Sequence, residues 1–220
     1  MTRPRIRYQT LELGTLDIHL RSLRDRQQFA DEDGHAETLG IGSASWPLFG
    51  VVWESGQALA LEMLSYPING RRVLEVGCGL GLASIILSLR DVDVTATDHH
   101  PEAEEFLRRN VELNGGPAIP FVRAGWDDER CDLAAFDLII GGDVLYERGH
   151  VDSLSAFIDR HAEPTCEVLI ADPGRHHTGR FSRRMSGLGY ASQPLAEPQE
   201  ADERSEGARR IRFVRHLREG

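Results

Sequence analysis

The segment Val73-Leu74-Glu75-Val76-Gly77-Cys78-Gly79-Leu80-Gly81 constrains the fold more than any other part of this 220-residue chain. An apolar stretch carrying one acid runs into three alternate glycines and then directly into the helical apolar repeat Leu80 to Leu89. Glycine is needed where the main chain turns through positive φ and where a ligand lies against the backbone, and the helix that follows presents free N–H groups. A strand, a glycine turn and a helix in immediate succession belong to a parallel sheet covered by helices, with the ligand at the carboxyl end of the strand.

The surrounding chain keeps that rhythm. A helix is expected from Ser55, with serine as its N-cap, to before Pro67; strands over Arg72 to Val76 and Val92 to Thr97; and a helix over Pro101 to Leu113 with proline in its first turn. Strands follow near Ile119 to Val122, Phe136 to Ile140 and Glu167 to Ala171, with a helix from about Val151 to His161. After a helix near Phe181 to Ser186, Tyr190 to Ser192 and Ile211 to Leu217 form an antiparallel hairpin across the charged loop Glu197 to Arg209. Ahead of all this, residues 6 to 23 alternate around Gly14-Thr15 as a β-hairpin, and residues 24 to 45 carry no period and are expected to be loop. The division expected is an N-terminal hairpin and loop extension over 1–45 and one folded unit over 46–220.

Composition narrows the function. Asp and Glu total 35 against 25 basic residues, all of them arginine, and a net charge of -10 disfavours a protein that holds nucleic acid by displacing phosphate counterions. No apolar run approaches the ~18 residues of a membrane span. The start Met1-Thr2-Arg3-Pro4-Arg5 has no signal-like apolar stretch, so a cytoplasmic monomer with no membrane or nucleic-acid partner is expected. Cys78, Cys131 and Cys166 are odd in number and far apart, which suggests neither disulfides nor a zinc site. The pairs His99-His100 and His176-His177 lack a third ligand at useful spacing and read as surface residues, so no metal is expected.

The glycine spacing also discriminates among ligands. A dinucleotide turn, Gly-x-Gly-x-x-Gly, would place its third glycine at Leu82, but here that glycine arrives one residue early. Glu75, two residues before the first glycine, would lie beside the ligand and repel a pyrophosphate. S-adenosylmethionine carries an ammonium and a sulfonium, and Coulomb attraction suits it to a site lined by Glu75, Asp98 and Asp143. Asp98 ends its strand where a carboxylate can accept two ribose hydroxyls.

Together, Trp53-Glu54-Ser55-Gly56, the glycine segment 73–81, Thr97-Asp98, Gly125-Trp126 and Gly141-Gly142-Asp143-Val144-Leu145-Tyr146 resemble the seven-stranded protein methyltransferases of the lysine-methylating family over about residues 46 to 175. That family includes enzymes modifying heat-shock-70-class chaperones, valosin-containing protein and the β subunit of electron-transfer flavoprotein, and it resembles bacterial proteins labelled nicotinamide methyltransferase-like. The tail Ala171-Asp172-Pro173-Gly174-Arg175 is most similar to the flavoprotein-modifying branch. The resemblance implies an α/β, Rossmann-like, doubly wound and mostly parallel seven-stranded sheet with an antiparallel C-terminal hairpin.

It also implies a set of sites. Trp53 would lie against the cofactor, Gly77, Cys78, Gly79 and Gly81 would form its methionine-side turn, Asp98 would hold the ribose, Trp126 would flank the adenine, and Gly142 would contribute main chain beside the sulfonium. Asp143 and Tyr146 match the family's Asp-x-x-Tyr at the substrate amine. Trp46 competes with Trp53, but Trp53 directly precedes the helix. The function expected is methyl transfer from S-adenosylmethionine to a lysine of a protein substrate. The alternatives are transfer to a small nicotinamide-like amine and a non-catalytic cofactor-binding module.

Overall fold

The computed structural model describes residues 4–128, 131–194 and 211–220. Nine strands and six helices alternate within them. β1 (Ile6–Leu13) and β2 (Leu16–Leu23) pair as an antiparallel hairpin in full register, Ile6 opposite Leu23 and Leu13 opposite Leu16. Then follow α1 (His35–Thr38), α2 (Glu54–Met63), β3 (Val73–Val76), α3 (Leu82–Leu89), β4 (Val94–Asp98), α4 (Ala103–Leu113), β5 (Phe121–Arg123) and β6 (Phe136–Gly142). The chain continues through α5 (His150–Arg160), β7 (Ala162–Asp172), α6 (Thr178–Gly187), β8 (Ala191–Gln193) and β9 (Arg212–Arg218). The charged loop expected over Glu197 to Arg209 lies outside the described residues.

β3 to β9 form one seven-stranded sheet in the order β5-β4-β3-β6-β7-β9-β8, parallel except for β9, which runs antiparallel to both neighbours. This is the sheet expected from the sequence. The chain winds outward from β3 through β4 to β5 and then crosses back to β6, so strand order reverses between β3 and β6. At such a reversal the connections leave in opposite directions, and a crevice opens at the carboxyl ends of the strands.

Alternate side chains of the central strands enter two cores. Leu138 and Ile140 face one layer with Val73, Leu59 and Met63 of α2, Ile85 and Ile86 of α3 and Leu107 of α4. Ile139, Leu74 and Val76 face the other with Val151, Leu154 and Phe157 of α5 and Phe181 and Met185 of α6. A strand covered on both faces must be apolar on both, which is why VLEV and LII show no alternation. The hairpin joins the first core through Leu13, Ile18 and Leu20, and it is tied to α4 where Asn110 and Asn114 accept the main-chain N–H groups of Arg21 and His19.

The local departures have plain causes. α2 starts one residue early, with extended Trp53 as its N-cap, so Ser55 is buried inside the helix instead of capping it. Within the polar segment 24–45, Asp31 accepts the N–H groups of Ala36 and Glu37 and holds one helical turn, α1. β7 begins at Ala162, five residues before the expected Glu167, because its first four residues, Ala-Glu-Pro-Thr, are half-buried or exposed and carry no apolar alternation. His100 is buried, not superficial, and stacks on Phe49 at 3.7 Å between ring centroids.

Candidate active site

The glycine turn is shaped by close approach. Gly77, Gly79 and Gly81 all have positive φ, of 61°, 54° and 72°. A Cβ on Gly79 would stand 2.8 Å from the carbonyl oxygen of Phe49, an atom fixed in the main chain. Gly81, although expected at the ligand, is not among the cleft-lining residues: it is the left-handed N-cap of α3, where a Cβ would stand 2.2 Å from Leu107 Cδ1. Its task is to let α3 and α4 pack. Gly77, Cys78 and Gly79 remain in the cleft wall.

Asp98 organises this half. One carboxylate oxygen accepts the Gly79 N–H and the other the His100 N–H, each at 2.8 Å. Burial pushes its carboxyl above the usual carboxylate range, opposed by these two main-chain donors. Glu75 also reaches the cleft, but its Oε2 accepts the main-chain N–H of Ser84 at 2.9 Å and the Ser84 hydroxyl. Burial, opposed by Ser84, pushes the Glu75 carboxyl up to about 7, so near neutrality it carries less charge than a carboxylate facing a cation would. Its first duty is to hold the start of α3.

The indoles divide cleanly. Trp53 lines the cleft with its Nε1 donating to the Leu48 carbonyl at 2.8 Å, whereas Trp46 is 1% exposed and packs behind the cleft against Phe29, Phe49 and His100. Across the cleft, Trp126 meets the edge of His150, which in turn meets the edge of Tyr146, with centroids 5.0 Å and 4.5 Å apart. Burial holds the His150 imidazole below its ordinary pKa and, with nearby carboxylates, pushes the Tyr146 phenol up to about 12. Tyr146 is therefore a neutral phenol at physiological pH. It offers a hydroxyl and a ring face, not a base.

Gly142 ends β6 at the strand-order reversal, and Asp143 follows it. A Cβ on Gly142 would come within 3.2 Å of the Gly56 main chain, which explains glycine there. Asp143 adopts left-handed φ 57°, and its N–H donates to the Ala171 carbonyl at 2.9 Å. Its carboxylate lines the cleft already paired. Arg175 grips both oxygens, Nε to Oδ1 at 2.6 Å and Nη2 to Oδ2 at 2.9 Å.

All the expected residues except Gly81 thus converge on one cleft of about 830 Å³, a size that suits a nucleoside-containing cofactor with room for an acceptor group. Among the lining residues that the sequence did not assign to the site are Phe49, His99, His150 and Arg175. The two last come from the start of α5 and the loop after β7. The pairing of β6 with β7 brings Arg175 to Asp143, and His150 packs instead against Tyr146 and Trp126.

The residues fit S-adenosylmethionine. The main chain at Gly77 to Gly79 is bare, Asp98 stands at the end of the second strand, and the buried ring nitrogens His99 Nδ1, His100 Nε2 and His150 Nδ1 lack protein partners along the cleft. Fold and cleft define a Rossmann-like methyltransferase whose cofactor is S-adenosylmethionine. The chain belongs to the lysine methyltransferase family, whose model matches residues 43–186.

Among its relatives, the electron transfer flavoprotein beta subunit lysine methyltransferase of Danio rerio is 35% identical over 64% of this chain and 57% of the relative. The protein of the same description from Rattus norvegicus is 31% identical over 86% of this chain and 72% of the relative. Among solved structures, magnesium protoporphyrin IX methyltransferase from Synechocystis PCC 6803 with bound SAH shares the fold, with a TM-score of 0.56 and 15% identity over 84% of each chain.

Proposed function

We propose that the protein transfers a methyl group from S-adenosylmethionine to the side-chain amine of a lysine on a protein substrate. The observation that carries this reading is the meeting, in one cleft, of the glycine turn with Asp98 on one side and the Asp143, Tyr146 and His150 cluster on the other. The relatives' descriptions, which name lysines of proteins, support it.

In this reading Asp98 takes the ribose hydroxyls, Gly77 to Gly79 and Gly142 lend main chain to the methionine side, and Trp53 and Trp126 cover the cofactor. The bound cofactor supplies an activated methyl on a sulfonium, which needs no further electrophile. The protein's contribution is alignment and exclusion of water. Tyr146 and His150 form a partly buried aromatic wall that orients the amine nitrogen, and Asp143 with Arg175 closes the end of the site opposite the cofactor. A lysine, with its ordinary pKa of ~10.4, reacts only after losing a proton, so the site must bring a neutral nitrogen to the methyl.

The test begins with calorimetric titration of S-adenosylmethionine and NAD. Methyl-labelled cofactor is then incubated with protein from a lysate depleted of endogenous activity. The expected result is selective binding of S-adenosylmethionine and label on a discrete protein band. Since this chain contains no lysine, label on lysine belongs to the added protein. Preference for NAD, or label confined to small molecules, would contradict the proposal.

A further inference from the structure

We infer that Arg175 decides the protonation state in which the acceptor amine enters: closed on Asp143, it makes the site take the neutral amine and turn away the ammonium. The inference rests on the placement of the acceptor amine beside Asp143 and Tyr146. An open carboxylate would do the opposite and welcome a lysine as its cation.

The Asp143–Arg175 pair differs from a loose surface ion pair, which is worth little. It is bidentate, with two hydrogen bonds of 2.6 and 2.9 Å, and the Asp143 side chain is only 9% exposed. Both partners are fixed by main chain. Asp143 is held in its left-handed conformation with its N–H on the Ala171 carbonyl. Arg175 follows a turn in which one Asp172 oxygen accepts the N–H groups of Gly174 and Arg175, each at 2.8 Å. An ammonium reaching Asp143 meets a carboxylate that is only 9% exposed and already neutralised by a guanidinium the turn holds in place.

Among the other described carboxylates, Asp127 and Asp128 line the cleft on its exposed Trp126 side, where Asp128 accepts the Gly125 N–H. Tyr146 is a neutral phenol, and the Arg175 guanidinium carbon lies 6.0 Å from its ring centroid. Asp98 lies on the cofactor side, where it accepts two main-chain N–H groups and faces the ribose, and Glu147 is 62% exposed beside His150. Asp172 is fully buried behind the turn. On the outward side, the small cleft that Tyr146 and Arg175 also line is bordered by His176, His177 and Arg212, with no carboxylate among its described residues. A cation arriving there meets a guanidinium whose counter-charge is already used.

The consequence is a steep pH dependence of binding. At pH 8 about one lysine amine in 250 is neutral, taking a pKa of ~10.4. A site competent only for that form shows an affinity reduced by the same fraction, recovering about tenfold per pH unit.

The experiment titrates the full-length protein, loaded with S-adenosylhomocysteine, with two probes followed by NMR: Nα-acetyl-lysine methylamide and its norleucine counterpart. For the wild-type protein the lysine probe should tighten about tenfold per unit from pH 8 to 10, while the norleucine probe stays constant and binds at least about a hundredfold more tightly at pH 8. Arg175→Gln should flatten the lysine dependence and reverse the preference at pH 8, and Arg175→Lys, which keeps a cation, should retain the wild-type slope.

Flat binding of the lysine probe to wild-type protein, a wild-type preference for lysine over norleucine at pH 8, or a wild-type slope in Arg175→Gln would overturn the inference. If Arg175→Gln leaves Asp143 stranded and does not fold, the wild-type comparison of the two probes decides alone. Failure of both probes to bind, or full methyl transfer by Asp143→Asn, would instead overturn the placement of the amine at Asp143 and the inference with it.

Discussion

The two halves of the cleft are built by different means. The cofactor half is chiefly main chain: positive-φ glycines stripped of side chains, steadied by one carboxylate that accepts two backbone N–H groups. The amine half is side chain: a carboxylate closed by a guanidinium and an imidazole between two aromatic rings. Main chain tolerates no substitution where it touches a ligand, so the first half should fail abruptly and in binding. Side chains can be exchanged without breaking the scaffold, so the second should fail in turnover.

The sharpest break is expected at Gly79→Ala. Its Cβ would stand 2.8 Å from the Phe49 carbonyl oxygen at φ 54°, adding a main-chain collision to the roughly 1–2 kcal/mol cost of a left-handed non-glycine residue. Calorimetry should show cofactor affinity down by more than about a hundredfold, with a lowered Tm. Gly115→Ala is the control, since it has φ 64° but open space around its Cβ, and should cost only about 1 kcal/mol and leave binding intact.

Asp143→Asn should separate the halves. Methyl transfer is expected to fall by about a hundredfold, the scale of misplacing an aligned group, because Asn cannot hold both arms of the Arg175 guanidinium. Cofactor affinity should stay within about threefold. An equal loss of both would mean that the division between the halves is wrong.

Asp98→Ala should do the reverse on a smaller scale. Losing hydrogen bonds to a charged acceptor costs about 1.5–3 kcal/mol, roughly a ten- to 150-fold loss of cofactor affinity by titration. Unchanged affinity would mean that the ribose lies elsewhere.

The last effect lies outside the cleft and tests whether acid sensitivity belongs to the core. His216 is fully buried against Phe181, and burial pushes its pKa down to about 4. The unfolded chain binds that proton from about pH 6.5, so stability is lost as pH falls from 6.5 towards 4, up to about 3 kcal/mol for this group. His100, pushed by burial to about 3, adds loss in the same direction, while Glu75 at about 7 opposes it. His216→Leu should therefore show a shallower drop of Tm between pH 7 and 4.5 than the wild-type protein. An identical drop would place the acid sensitivity elsewhere.

The same contrast explains what could be read from the chain. The sheet, its winding and the glycine turn were legible because each is written in contiguous residues: apolar runs of strand length, glycines where φ is positive, an acid at the end of the next strand. The start of β7 was not, because its half-buried and exposed residues carry no apolar alternation, and α1 was not, because it depends on Asp31 reaching its N-terminus from outside the helix. In the site, Asp143 and Tyr146 were visible as a spaced pair, but the state of Asp143 was not. Its partner lies 32 residues downstream, and only the pairing of β6 with β7 delivers it. Glu75 was legible as a residue of the cleft wall, and only the fold shows Ser84 taking up one of its carboxylate oxygens.

The central claim is that the amine half receives a lysine from another protein. It is tested most directly by acid hydrolysis of the protein labelled by the enzyme and methyl-labelled cofactor, followed by separation of the amino acids. The account predicts label recovered as Nε-methylated lysine and absent when Asp143→Asn replaces the wild-type enzyme. Label recovered on histidine or arginine, or undiminished lysine label from Asp143→Asn, would contradict it.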